Sequence, residues 1–316
     1  MNASPMKRIF VVVIVLIGLG VLAKMAGGWG GDSEKANLKS KNTILRIEMR
    51  GVILNGRKFI KNLKRYREED KVKAFVIDIN SPGGAVGPSQ EIFAELKRTR
   101  EEFKKPVICV STGVMASGAY YAAAACDQVI VAPGALVGSI GVIMEFANLE
   151  RLYDWAKVTR YSITSGRFKD SGAEYRAMRD DERVLFQDMI NEVYQQFRAT
   201  VKEARKLNDQ VLDEYADGRV FTGTTAVKMG FADKEGYFED AVKTAAEVAG
   251  LGEDYELSEI PKKKMSIFDL GERDEEDNIN SLLEKFSGAE AKQAIDKVLR
   301  ANYLNQPLFL MPGYWE

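Results

Sequence analysis

Two glycine-bearing turns and one lysine hold the residues of this sequence that could do chemistry. Asn80 to Gly84 reads NSPGG and follows the apolar run Lys73 to Ile79, KAFVIDI. Pro82 fixes one backbone dihedral. Gly83 and Gly84 permit a positive φ and a close approach to a ligand, so their N–H groups can face a cleft instead of a strand ladder. Free amides of that kind are what an oxyanion hole requires, although an ordinary Pro-Gly turn uses the same residues. Ser111 to Tyr121 reads STGVMASGAYY and follows a second apolar run, Pro106 to Val110. There Ser117 lies between Ala116 and Gly118, small neighbours that leave a hydroxyl accessible at the start of a helix expected to run through Ala125. A nucleophile so placed gains from the unpaired amides and dipole of a helix N-terminus, and a capping serine would occupy the same place. The third segment is Ser162 to Gly172, SITSGRFKDSG, which contains Lys169; VGSIGV, Val137 to Val142, lies upstream.

The sequence contains no histidine. That excludes Ser-His-Asp and Cys-His catalysis, removes the commonest zinc ligand, and leaves Lys, Asp, Glu, Tyr or an activated water for proton transfer. A lysine acts as a base only when neutral, and against a reference pKa of ~10.4 only about one in 10³ is deprotonated at pH 7. Burial lowers that pKa; Arg167 would assist and Asp170 would oppose, if their charges face the site. Taken alone, Lys169 reads as a surface charge.

The elements that must position these residues follow from periodicity. Thr43 to Met49 (TILRIEM), Lys73 to Ile79, Pro106 to Val110 and Gln128 to Ala132 read as strands, and Gly56 to Asp70 and Pro88 to Phe103 as helices between them. This alternation predicts an α/β fold with a sheet covered by helices. A long helix is expected from Asp180 to Lys206, its apolar face supplied by Val184, Phe186, Met189, Ile190, Val193, Tyr194 and Phe197. Shorter helices are expected at Asp209 to Ala216, Thr222 to Met229, Phe238 to Ala249 and Ile279 to Tyr303.

At 316 residues and 46% hydrophobic composition the chain can bury a sizeable core, and 45 Lys+Arg against 46 Asp+Glu gives no basic surplus for nucleic acid. Cys109 and Cys126 sit in apolar runs, read as buried thiols or a single disulfide, and have no metal-ligand spacing. Lys7-Arg8 precede an uncharged run from Ile9 to Ala23 that reaches spanning length if continued to Trp29 with Lys24 snorkelling. The basic pair orients the N-terminus to the cytoplasm and the body to the other side, as a signal anchor or a removed signal peptide. Three regions result: anchor and linker over 1–42, a catalytic body over 43–252, and over 253–316 a charged linker, a helix and an apolar tail. That tail, Pro307 to Glu316 (PLFLMPGYWE), is extended, Pro-bounded and apolar enough to predict docking within its own assembly of copies, near the substrate groove.

NSPGG, MASGAYY, GSIGV and SGRFKDSG, in this order behind a signal anchor, resemble the signal peptide peptidase A (SppA) family of Ser-Lys proteases. The resemblance covers roughly Ile44 to Leu251 and is to the short, single-repeat bacterial form. It implies a Clp protease/crotonase-like fold with an N-terminal transmembrane helix and a helical C-terminal extension. It also implies Ser117 as nucleophile, Lys169 as general base, Ser139 as the hydroxyl that orients the lysine, and Gly83 and Gly118 as the oxyanion hole. No metal or cofactor is expected. Substrates would be cleaved signal peptides and misfolded membrane or secreted proteins. The enzyme would be a single-pass inner-membrane protein with a periplasmic body, assembled as a homo-oligomeric ring, octameric by the resemblance, with Ser and Lys of one site drawn from neighbouring subunits. Two other readings are an inactive homologue that scaffolds membrane assemblies and a crotonase-like acyl-CoA enzyme; export argues against the latter because acyl-CoA is cytoplasmic.

Overall fold

The computed structural model describes residues 36, 38, 40–261 and 307–311. The expected anchor at 9–29 and the expected helix at 279–303 lie outside them, and among the described residues no helix is long and apolar enough to cross a membrane. The chain runs β1 (Thr43–Arg50), α1 (Arg57–Arg67), β2 (Val72–Asn80), β3 (Gly83–Ala85), α2 (Val86–Glu101), β4 (Val107–Ser111), β5 (Val114–Ala116), α3 (Gly118–Ala123), β6 (Gln128–Val131) and β7 (Leu136–Gly138). There follow α4 (Glu150–Trp155), α5 (Asp180–Arg205), α6 (Asp209–Tyr215), β8 (Val220–Thr222), α7 (Gly223–Met229), β9 (Lys234–Glu235), α8 (Phe238–Val248), β10 (Glu256–Glu259) and β11 (Leu308–Leu310).

Strands β2, β4 and β6 are predominantly apolar and buried at almost every position, as suits strands covered on both faces of a parallel sheet. They form the middle of a six-stranded sheet ordered β10-β1-β2-β4-β6-β9, and every pairing in it is parallel. From β1 to β2, β4 and β6 the chain steps in one direction, so right-handed crossovers carry α1, α2 and α3 on one face. From β9 the chain returns to the far edge at β10, which puts α8 on the other face. There Ala241, Val242, Ala245 and Ala246 pack on Ile44, Ala74, Val76, Ile108, Val110 and Ile130. Small alanines let that helix lie close to the sheet.

The α/β fold with a sheet covered by helices is as the alternation predicts; the parallel pairing of the main sheet is what the structure adds. The short strands β3, β5, β7, β8, β9 and β10 have no counterpart in the sequence reading. They run for two to four residues, too short to display an alternation. Helix α2 begins at Val86, before Pro88, because a proline in the first helical turn removes an N–H that had no partner there. Cys109 and Cys126 are joined in a disulfide. The long helix α5 keeps its expected span, yet Val184 and Met189 of its apolar face are exposed.

Leu63, fully buried on α1, and Leu152, half exposed on α4, separate core from surface. Leu63→Ala should cost about 2–5 kcal/mol, read as a lower urea midpoint at unchanged m. Leu152→Ala should stay within about 0.5 kcal/mol.

Candidate active site

β2 and β4 are neighbours in a parallel sheet, so the turns that leave them emerge at the same edge. The two turns are also joined to each other. Ser81 N–H donates to the Val114 carbonyl at 2.8 Å, and Ala116 N–H donates to the Ser81 carbonyl at 3.2 Å. The turn after β2 becomes β3, and that after β4 becomes β5 and then α3, with Ser117 between them.

Ser117 has φ 51° and ψ −119°, a conformation that a side chain with a Cβ adopts only when its surroundings hold it there. One restraint is its own N–H, which donates to the Gly138 carbonyl at 2.7 Å. Its hydroxyl is buried, makes no hydrogen bond among the described residues, and caps nothing. The capping reading of this serine therefore fails. A buried hydroxyl left without a partner is costly, and such groups are found where another molecule supplies the partner.

The glycines around it let neighbouring backbones approach more closely than any side chain would allow. Gly83 has φ 98°, and a Cβ there would stand 2.2 Å from the Phe309 carbonyl oxygen and 2.6 Å from the Gly118 nitrogen. A Cβ on Gly118 would meet Ser89 Oγ at 2.4 Å. Gly118 opens α3, so its N–H is one of those a helix leaves without an internal acceptor. The Gly83 N–H donates to Ser81 Oγ at 3.2 Å, a long bond. Ser139 follows Gly138 and also has a positive φ, 51°; it is buried, and its N–H donates to the Arg219 carbonyl. Ser117, Gly83, Gly118 and Ser139 thus converge at one edge of the fold.

A peptide strand lies across this edge. β11 pairs antiparallel with β3, Phe309 opposite Gly84, and Met311 N–H donates to the Pro82 carbonyl at 2.9 Å. On its other side Leu308 exchanges two hydrogen bonds with Ile143, at 2.9 and 3.1 Å. The Phe309 ring is fully buried, stacked on Tyr121 at 5.3 Å between centroids and 4.5 Å from Phe197 of α5. Tyr121 is itself fixed by Phe93 at 5.3 Å and by a hydroxyl bond to Thr200. The groove thus receives an extended peptide between two backbone edges, with an aromatic pocket for one side chain. The docking expected of the tail takes this form.

Lys169 stands elsewhere. It is exposed, in a turn closed by its N–H donating to the Gly166 carbonyl, and its side chain has no ion pair among the described residues. The turn is tied to the first residues of α5: Arg176 bonds both Asp170 and Glu182. Phe197, beside Tyr121, lies fifteen residues farther along that helix, about 22 Å at 1.5 Å per residue. Within one chain the structure does not bring Lys169 to Ser117.

The sequence reading missed the pocket residues Phe93, Tyr121 and Phe197 and the Arg176–Glu182 pair. Phe93 and Phe197 belong to separate helices that periodicity treats alone, and only the fold sets them side by side. The acidic run Asp180 to Glu182, close after Arg176 and Arg179, was the one available sign of the ion-pair cluster.

Residues 99–252 match the family model described as Peptidase family S49. A relative from Synechocystis sp., whose name assigns it provisionally as a protease, is 39% identical over 227 residues, 71% of this chain and 81% of the relative. The chloroplastic serine protease SPPA of Arabidopsis thaliana is 31% identical over 79% of this chain and 38% of its own length. Protease 4 of Salmonella typhi is 32% identical over 69% of this chain and 37% of its own. Among solved structures, a membrane-bound stomatin-specific protease mutant aligns with TM-score 0.46 at 16% identity, over 71% of this chain and all of that one.

Because β11 covers the turn that bears Ser117, a chain ending at residue 306 should react faster with a fluorophosphonate at Ser117 than the full chain. The measurement is the labelling rate of each; equal rates would mean that the strand does not shield the hydroxyl.

Proposed function

The chain belongs to peptidase family S49, with SppA and protease 4 enzymes among its homologues, and on that premise we propose that this protease is a serine endopeptidase working through Ser117 and Lys169. The observation that carries the reading is the buried Ser117 hydroxyl, without a partner among the described residues, beside the Gly83 and Gly118 turns and under an extended peptide strand. In this reading Ser117 Oγ attacks the scissile carbonyl carbon while its proton passes to the neutral amine of Lys169. Negative charge gathers on the carbonyl oxygen, which the Gly83 and Gly118 amides receive, and Ser139 orients the lysine. The C–N bond then breaks as the lysine ammonium returns the proton to the leaving amine. Water, deprotonated by the same lysine, hydrolyses the acyl-enzyme and frees Ser117.

Lys169 comes to this site from a neighbouring copy. Three features support the arrangement: the separation along α5, the exposure of the lysine turn, and several exposed large apolar side chains. These include Trp155 at 80%, Tyr161 at 77% and Ile163 at 95% exposure, with Val184 and Met189 on α5. Covering such side chains is what a contact between copies would do. Enclosure at the contact between copies would also favour the neutral amine by desolvation. The ring, octameric by resemblance, is then part of the mechanism.

Cleaved signal peptides suit the apolar groove that takes Leu308, Phe309 and Leu310, all buried. Misfolded membrane and secreted proteins are the second substrate class. An anchor at residues 9–29 in the inner membrane, with the N-terminus cytoplasmic and the body periplasmic, would hold the enzyme near both. No metal or cofactor enters any step.

A fluorophosphonate should label Ser117 in the assembled protein and fail to label Lys169→Ala. Ser117→Ala and Lys169→Ala subunits, each inactive alone, should regain activity when coassembled, since some sites then combine an intact serine with an intact lysine. Activity of kcat/KM against pH should rise through the apparent pKa of the base. No recovery on mixing would reject the shared site, and undiminished labelling of Lys169→Ala would reject the lysine.

A further inference from the structure

The turn that carries Lys169 is held by a cluster of ion pairs on the first turn of α5. Arg176 grips Glu182 with both guanidinium nitrogens, Nη2 to Oε1 at 2.6 Å and Nη1 to Oε2 at 3.0 Å, and Glu182 is fully buried. The same Nη2 reaches the Asp170 carboxylate at 3.0 Å and the Asp170 backbone carbonyl at 2.9 Å. Arg179 adds bonds to Glu182 at 2.6 Å, to Asp170 at 3.4 Å, and to the Arg167 carbonyl at 2.6 Å. Arg167 is paired with Asp181 at 2.6 Å. Below the turn, Gly172 has φ 75° and lies so close to Phe146 that a Cβ would stand 2.6 Å from its ring; Phe146 packs on Phe186 of α5.

Two consequences concern Lys169. Residues 167, 170 and 172 are each fixed, so the lysine backbone is fixed on both sides while its side chain stays free. The charges on either side of it, Arg167 and Asp170, are both spent on other partners, so neither faces the amine unpaired. The hydrogen bond from Arg176 holds the Glu182 carboxyl below the usual range, and the Arg176 bond does the same for Asp170. Both are therefore ionised wherever the enzyme would work.

We propose that Arg176 is a positioning residue for the lysine base: with Glu182, Asp170 and Arg179 it locks the Lys169 turn to α5, and it withholds the Asp170 carboxylate from the lysine ammonium. The proposal rests on Lys169 being the base. It answers which of the two flanking charges prevails, since neither is available. A fork-shaped guanidinium is required because one group must hold two carboxylates and a carbonyl together.

The test uses the full-length, assembled protein and a peptide substrate. Arg176→Ala should lower kcat about 10- to 100-fold, the scale of misplacing a reacting group by ~1 Å. KM should stay within about twofold, since the groove is untouched. The acid limb of kcat/KM should move up by about one pH unit, because the released Asp170 carboxylate favours the charged lysine. Adding Asp170→Asn to Arg176→Ala should return the limb to its wild-type position without returning the rate. Should Arg176→Ala not fold or assemble, Arg176→Lys carries the test, with a smaller loss in kcat and the limb moved the same way. Wild-type rate and profile in an assembled Arg176 variant overturn the proposal, as does a loss of rate with an unmoved limb. Lys169→Ala separates this proposal from the reading beneath it. If that variant is fully active, the base is misassigned; if it is inactive while Arg176→Ala behaves as wild type, only the clamp is wrong.

Discussion

The bond from Ser117 N–H to the Gly138 carbonyl is the constraint on which the site depends. It holds a serine at positive φ between β5 and α3, a conformation that costs of order 1–3 kcal/mol and persists only where the surroundings impose it. Gly138 can offer its carbonyl because β7 lies parallel to β5, with Ala116 opposite Gly138. β5 in turn is held by Ser81 of the neighbouring turn, whose N–H donates to the Val114 carbonyl and whose carbonyl accepts from the Ala116 N–H. The hydroxyl that results is buried and without a partner among the described residues, and the Gly83 and Gly118 turns pack closely beside it.

Helix α5 gives the molecule its second organising feature. Toward its C-terminal half Phe197 forms part of the wall of the groove, and at its first turn Glu182 anchors the segment that bears Lys169. One rigid rod therefore separates the two halves of the proposed dyad within a chain, walling the groove toward one end and anchoring the lysine turn at the other. Val184 and Met189 of this helix, and Trp155, Tyr161 and Ile163 of the 149–163 segment, are exposed apolar side chains. The tail strand β11 meets the groove in the manner of a peptide substrate, through backbone bonds to β3 and Ile143 and one aromatic side chain in a pocket.

Much of the fold was legible because its central strands are buried on both faces. Runs such as KAFVIDI and PVICV read as buried strands of a sheet covered by helices, and both turns with their glycines could be located from residue type alone. The short strands were not legible, since two to four residues carry no period, and the disulfide had to remain one of two alternatives. The tail was legible as apolar but not as a strand, because its partner β3 is more than two hundred residues away in the chain.

Residue chemistry by itself determined that this protein has no histidine to use, that a serine and two glycines stand at strand-to-helix turns, and that a lysine follows in a Gly-rich segment. Those are local facts, set by covalent identity and by backbone freedom at single positions. The tertiary structure alone decided that Ser117 is buried without a partner among the described residues, that Phe309 fills a pocket made from three distant segments, and that Lys169 stands at the far end of α5 with both its charged neighbours already paired. Such properties depend on distances between groups remote in sequence, and a hydroxyl or an ammonium has no fixed environment until packing brings those groups together.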